Sequence, residues 1–266
     1  MPFTPSHAIV ALPFVRSPLP AAAIAVGAMT PDLPLFLRGT PIAYEWTHSF
    51  AWLPVTVGLA LVLLLLWRAV LRPAVRQLAP PWIAARLPAE WDAAAGAGVQ
   101  QTFAPGPGAR SVLGGILFVV LALALGVASH IAWDAFSHEG RSGVGLVPAL
   151  DAQWGPLVGY KWVQHGSSVI GVVVLAVWAL LLLRRARSVP VARVLPGWMP
   201  WAWLLALPVA LVVAWVAGLI VLGPLTAQFT VQHLAYRVLP PACAVWAALT
   251  ILLAIAVPIL RRRSRR

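Results

Sequence analysis

Apolar residues fall into long runs along this chain, and the polar ones gather where those runs end. Five runs, at about 50–71, 112–135, 167–183, 202–222 and 242–260, are near the ~20 residues that an α-helix needs to cross the hydrocarbon core. They predict five spanning helices. Before them, residues 8–14 and 19–29 are apolar but short, broken by Arg16 and by Pro13, Pro18 and Pro20. Residues 1–49 therefore predict two short helices, partly re-entrant or interfacial, with one kinked crossing as the alternative. Thr4-Pro5-Ser6-His7 carries the hydroxyl and proline of a helix start. Thr30-Pro31-Asp32-Leu33-Pro34 predicts a helix end, because a proline pushes the residue before it out of the α region.

The longest connection, residues 72–111, is rich in Pro, Ala, Gly and Arg. Pro80-Pro81-Trp82 and Pro105-Gly106-Pro107-Gly108 are turn signals. A loose loop is expected there, with one short amphipathic helix around 82–96. No repeat is visible, and the chain reads as a single integral membrane domain, residues 1–266. It comprises an N-terminal polar region (1–49), the loop at 72–111 and a basic tail (261–266). The fold class is all-α, a polytopic helical bundle.

Composition agrees with this pattern. Of 266 residues, 61% are hydrophobic and 10% charged, against roughly 25% charged in a soluble domain. A net charge of +12 raises nucleic acid as a partner, but the arginines sit at the ends of apolar runs. There they read as topology signals and anchors to anionic membrane lipids. Arg68, Arg72, Arg76, Arg86 and Arg110 flank or fill the first loop. Arg184, Arg185, Arg187 and Arg193 occupy the third, and Arg261, Arg262, Arg263, Arg265 and Arg266 the tail. Only Arg16, Arg38, Arg141, Lys161 and Arg237 fall on the other side. The positive-inside rule places the basic loops and the C-terminus in the cytoplasm. The lone Cys243 excludes an internal disulfide.

That topology sorts the candidate chemistry. His48 opens the first span, His130 to His138 close the second, His165 opens the third, and His233 lies between the fourth and fifth. All fall on the non-cytoplasmic face with Asp32, and His7 joins them if the N-terminal region is re-entrant. A shared polar site explains the sorting; scattered core histidines would not. His130, Asp134 and His138 stand at i, i+4 and i+8, each step about 6 Å along a helix and ~40° around it. Either neighbouring pair can chelate one ion. His130 and His138 lie ~12 Å apart on a regular helix, so either the helix ends and folds His138 back, or Asp134 bridges two ions. Mixed nitrogen and oxygen ligands suit zinc first, with manganese or iron as alternatives. Lys161, Gln164 and His165 are candidates to orient ligands or meet substrate. Each has a plainer reading too. His48 and His7 suit helix starts, Asp32 suits a turn, and residues 160–168 suit an interfacial helix with Tyr160 and Trp162 at headgroup depth.

Taken together, Pro2-Phe3-Thr4-Pro5-Ser6-His7, Pro31-Asp32, Thr47-His48-Ser49, His130-x-x-Trp133-Asp134-x-x-Ser137-His138 and Gln164-His165-x-Ser167-Ser168 resemble a bacterial membrane family, domain of unknown function 4184. The likeness spans almost the full chain. More distantly, the His/Asp pattern is similar to inner-membrane metal-dependent hydrolases and to the helical zinc-dependent phospholipase C fold. That likeness implies His7, Asp32, His48, His130 and Asp134 as ligands. The chain lacks the rich second set of His and Glu that a trinuclear cluster needs.

Two functions are carried forward. One is a metal-dependent hydrolase at the outer leaflet, acting on a phospholipid or other phosphoester, with His7, Asp32, His48, His130, Asp134 and His138 sharing ligation. The other is a non-catalytic membrane protein whose His/Asp cluster is structural or binds lipid headgroups. A transporter fits less well, because ionisable groups near the bilayer midplane are sparse. Nucleic acid is not expected as a partner.

Overall fold

The computed structural model describes residues 3–104 and 109–263. Five of its helices are long and apolar enough to cross a membrane: Phe50–Leu78, Ser111–Ser137, Gly159–Arg185, Met199–Leu222 and Val231–Arg263. We call them spans one to five. With short helices at the N-terminus they make an all-α, multi-span membrane protein. Their outward faces are bare of protein: Ile220 and Val221 are 78% and 79% exposed. Surface of that kind is tolerable only where lipid covers it.

The spans outrun their apolar stretches, because helical hydrogen bonding continues where the need for apolar side chains stops. Span one runs on through a π-helical turn, Trp67–Leu71, into Arg72–Leu78. Span three begins at Gly159, so Tyr160 to His165 form its first turns instead of preceding it. Span five begins at Val231, which makes Gln232 and His233 helical, not loop residues.

Segment 72–111 also differs from the loose loop expected. After Leu78 come helical turns at Pro81–Ala84 and Ala89–Asp92, then a helix at Ala95–Phe103. Extended backbone at Pro88 and Ala93 interrupts the range where the amphipathic helix was expected, and the helix forms after it. Pro105-Gly106-Pro107-Gly108, Pro2 and the tail residues Arg265 and Arg266 lie outside the described residues.

The chain forms two compact units. The first comprises Met1–Pro34, Ile42–Leu65 and Val99–Leu182. Here a 3-10 helix, Thr4–Phe14, packs on Ala21–Met29, and Ala21–Met29 lies along span two. Two glycines permit that crossing. A Cβ on Gly126 would stand 2.2 Å from the Ile24 carbonyl oxygen, and one on Gly27 would stand 2.4 Å from that of Leu123. Small residues let helix backbones approach in this way in membranes. Ala23, Ile24 and Ala28 are wholly buried here, as are Val119, Ala122, Leu123 and Val127 of span two. At Thr30-Pro31-Asp32 the helix does not stop. It tightens to a 3-10 turn, with Pro31 near the start of that turn, and continues as Leu33–Phe36. Between spans two and three lies a ribbon of two-residue strands, Gln153–Trp154 and Leu157–Val158, turning at Gly155 with φ +66°.

The second unit comprises Leu35–Pro41, Leu66–Gly98 and Leu183–Arg266. Spans four and five pack together, with Ala74, Leu195, Ala254 and Val257 in a core beside them. Buried Arg76 donates to the carbonyls of Ala84 and Val189 and pairs with Asp92, which Arg261 also holds at 2.6 Å. Buried Gln77 donates to the Ala192 carbonyl and accepts from the Val194 amide. These bonds tie part of the 72–111 segment down.

Candidate metal centre

Four stretches of the first unit meet at one buried point. The 3-10 helix brings His7, the Thr30–Asp32 turn brings Asp32, the residues before span one bring His48, and span two brings His130 and Asp134. All five are buried. On span two, i, i+4 spacing stacks His130 over Asp134, with Nε2 and Oδ2 3.5 Å apart. His48 Nε2 lies 3.5 Å from the same Oδ2 and 3.2 Å from His130 Nε2. These three atoms form a nearly equilateral triangle. Asp32 Oδ1 caps it at 3.7 Å from His48 and 3.8 Å from His130. Ligands bound to zinc at its usual distances stand about 3.3–3.5 Å from one another in a tetrahedral site, close to what these side chains present. Two triads, His7/His130/Asp134 and Asp32/His48/His130, could each hold a metal ion.

The supporting bonds fix these atoms. His130 Nδ1 donates to the Ala28 carbonyl at 2.7 Å, which the glycine crossing brings within reach. His48 Nδ1 donates to the Tyr44 carbonyl at 3.0 Å, and the Tyr44 ring stacks on the imidazole at 3.7 Å. Both Nε2 lone pairs are thereby turned inward, the arrangement that metal-ligating histidines use. Thr4 Oγ1 donates to Asp32 Oδ2 at 2.6 Å, and Thr47 Oγ1 donates to the Pro31 carbonyl, holding the Asp32 turn against the His48 segment. His7 stacks on His130 with ring centroids 4.0 Å apart.

Several polar atoms here are left over. Asp32 Oδ1, both Asp134 carboxylate oxygens and His7 Nε2 are buried without a hydrogen-bond partner among the described residues. Such orphans are costly, and cations held by the two triads would satisfy them. The local electrostatics act on these same groups. Burial and the neighbouring His130 push the His7 pKa down to about 4, so it is neutral near pH 7. Burial works against a charged His48, but the Asp134 and Asp32 carboxylates beside it outweigh it and raise its pKa. Burial likewise opposes an ionised Asp32, and His48, His130 and Thr4 overcome it to lower that pKa.

His138 takes a different place. The helix ends at Ser137, which turns His138 back so that Nδ1 lies 3.5 Å from Asp134 Oδ2. It stands beside Asp134 but outside both triads. Gln164, itself buried, donates to His138 Nε2 at 3.2 Å and accepts from Lys161 Nζ at 3.3 Å. Gln164 and Lys161 thus reach Asp134 only through His138. His165 is exposed and stands outside the cluster.

Some participants were not legible as such. Thr4 reads from sequence as a helix start and Thr47 only as a neighbour of His48, while the carbonyls of Ala28 and Tyr44 carry no sequence signal. Arg141, read as a topology charge, lines a cavity together with His48 and Asp134.

A family model described as domain of unknown function (DUF4184) matches residues 1–259. The chain belongs to that family. No curated protein and no solved structure matches it, so no named homologue supports a relation to the metal-dependent hydrolases.

Proposed function

We propose that this DUF4184 protein is a membrane-embedded, metal-dependent hydrolase of the bacterial cytoplasmic membrane, acting from the non-cytoplasmic face on a phospholipid or other phosphoester. One observation carries the reading: ligand-type atoms of His48 and His130 stand within 3.5–3.8 Å of Asp134 Oδ2 and Asp32 Oδ1, carboxylate oxygens that are buried without a hydrogen-bond partner among the described residues. The arginine distribution supports the sidedness and a cytoplasmic C-terminus.

Zinc suits this donor set best. A divalent cation there supplies Lewis-acid polarisation of a phosphoryl or acyl oxygen and acidifies a water toward pKa ~7. The protein's own part is orientation. His48 and His130 are aimed by the carbonyls behind them, Asp32 is aimed by Thr4, and neutral His7 can accept a proton at Nε2. His138, linked through Gln164 to Lys161, steadies Asp134 from the water-facing end of span two.

The test is metal analysis of the purified full-length protein, with phosphoester hydrolysis assays on wild type, His130→Ala and Asp134→Ala. Stoichiometric zinc, lost together with turnover in both variants, is expected. A metal-free wild type overturns the reading. A second reading rests on the raised pKa of His48: a proton held between Asp32 and Asp134 would make the cluster a structural ion-pair knot. In that case the same substitutions lower stability and no metal is found.

A further inference from the structure

Where the 3-10 helix, span two and span three of the first unit meet, they bound a cavity of about 420 Å³. Ser6 and His7 come from the 3-10 helix, Ser129 and Trp133 from span two, Ser167 and Ile170 from span three. No aspartate, glutamate, lysine or arginine lines it. The walls are tied to one another. Trp133 Nε1 donates to Ser167 Oγ at 3.1 Å, joining spans two and three. The Phe3 amide donates to Ser168 Oγ at 2.9 Å. Gly171 packs so closely that a Cβ on it would stand 2.9 Å from the Ser6 Cβ. Those two contacts seat the 3-10 helix on span three.

We propose that this cavity binds one hydrocarbon chain of a membrane lipid together with the uncharged oxygen, of an alcohol or an ester, that the chain carries. The chain follows from where the cavity lies. Ile170 on its wall and the adjacent Val169 are 62% and 64% exposed, on a helix long and apolar enough to cross the membrane. Surface of that kind calls for lipid beside it. The volume is within the range of small-molecule sites, roughly 300–1,000 Å³. Neutrality follows from the lining. A phosphate, carboxylate or ammonium group would lose its hydration there without meeting an opposite charge.

The oxygen follows from Ser6 and His7. Both are buried, at 5% and 8% exposure, yet the Ser6 hydroxyl and the His7 ring hydrogen-bond to none of the described residues. Polar groups so deeply buried are costly until they are paired. A ligand oxygen beside them accepts from the Ser6 hydroxyl and remains without charge. His7 also belongs to one of the two triads that could hold a metal ion, so that oxygen lies next to the candidate metal centre. Binding of the chain stands apart from the hydrolase reading; only the fate of the bound lipid rests on it.

Full-length protein in phosphatidylcholine vesicles is irradiated with a decanol carrying a diazirine on its chain, and the labelled residues are mapped by mass spectrometry. Label is expected to concentrate on residues 6–10, 129–133 and 167–171, above the level on outward-facing Ile220 and Val221. Unlabelled decanol is expected to displace it. Decyl sulfate and decyltrimethylammonium, both permanently charged, are expected to compete at least about tenfold less well at equal mole fraction in the bilayer. Ser6→Ala is expected to weaken decanol about two- to tenfold, the range of one hydrogen bond. Val10→Trp and Ile170→Trp, which fill the cavity from two walls, are expected to lose its label and keep that on Ile220 and Val221. Label spread evenly over both regions, or left intact by both tryptophan variants, overturns the site. Charged competitors as effective as decanol, or a Ser6→Ala protein that binds decanol like wild type, overturn the uncharged oxygen. Metal content and phosphoester turnover are measured on the same preparations. Cavity label in a metal-free protein keeps the chain site and removes the hydrolase reading; stoichiometric metal and turnover with evenly spread label do the reverse.

Discussion

The Nε2 atoms of His48 and His130 face each other at 3.2 Å, although the two residues are far apart in sequence. Each ring commits its Nδ1 hydrogen to a backbone carbonyl, His48 to Tyr44 and His130 to Ala28. Two neutral imidazoles so arranged oppose lone pair to lone pair, which is repulsive. A proton or a cation between them removes the conflict, and Asp134 Oδ2, 3.5 Å from both, favours either one.

The metal alternative predicts that His48 and His130 act as a pair. Removal of either imidazole, in His48→Ala or His130→Ala, is expected to weaken zinc by at least about a hundredfold, the upper range for a lost orienting partner. The double variant should lose little more than each single one, since the pair acts as a unit. Competition titration against a chromogenic chelator measures this. Affinities equal to wild type in both single variants would remove these histidines from the ligand set.

Thr4 predicts a subtler effect. Its hydroxyl holds Asp32 Oδ2 at 2.6 Å while Oδ1 faces the two imidazoles. Thr4→Val keeps the shape and deletes the donor, and is expected to weaken zinc about ten- to hundredfold. Thr4→Ser should restore most of it. If valine and serine behave alike, the bond does not aim the carboxylate.

Where sequence reading succeeded and where it stopped has a physical basis. The spans were legible because hydrocarbon demands a long apolar run, whatever else the helix does. Their ends were not, since the helix at His233 or Tyr160 needs no lipid to continue. The pairing of His130 with Asp134 follows from helical periodicity alone. Their meeting with His48 and Asp32 does not, because it depends on backbones touching at Gly27 and Gly126, and a glycine in an apolar run announces no partner. Arg141 was legible as a charge outside a span. Its place in the cavity that His48 also lines follows a left-handed Gly140 that one sequence does not reveal.

The glycine crossing is itself testable. A methyl group on Gly126 would stand 2.2 Å from the Ile24 carbonyl oxygen and 2.7 Å from the Ala28 nitrogen. Both contacts are backbone and cannot swing away. Gly126→Ala is expected to cost about 1–3 kcal/mol, typical of overpacking, and to weaken zinc because the carbonyl behind His130 must shift. Gly58→Ala in span one is the control. A Cβ there meets nothing within 4 Å, and trading glycine for alanine within a helix should be neutral or gain about 0.5–1 kcal/mol. Thermal unfolding in detergent with zinc titration reads both. Equal Tm values for the two variants would mean the crossing tolerates a methyl group.

The proton alternative yields a pH signature in the metal-free protein, and its sign can be worked out group by group. His48 has a raised pKa in the folded state, so its contribution is fully present below the ordinary value of about 6.5 and is lost as pH rises through the raised one. His7, lowered to about 4 mainly by burial, and His138, lowered chiefly by burial as well, act in the opposite sense. Unfolded chains take up those protons first, so stability falls as pH drops below about 6.5. Asp32, with a lowered pKa, adds a loss only at still lower pH, near the carboxylate range. Chelated protein should therefore show its highest Tm near pH 6.5, declining on both sides. His48→Gln should flatten the alkaline limb and leave the acid limb in place. Zinc should reverse the alkaline limb, because the His48 proton must leave before Nε2 can ligate, and binding then strengthens with pH. An alkaline limb that survives both His48→Gln and zinc loading would place the titrating group elsewhere.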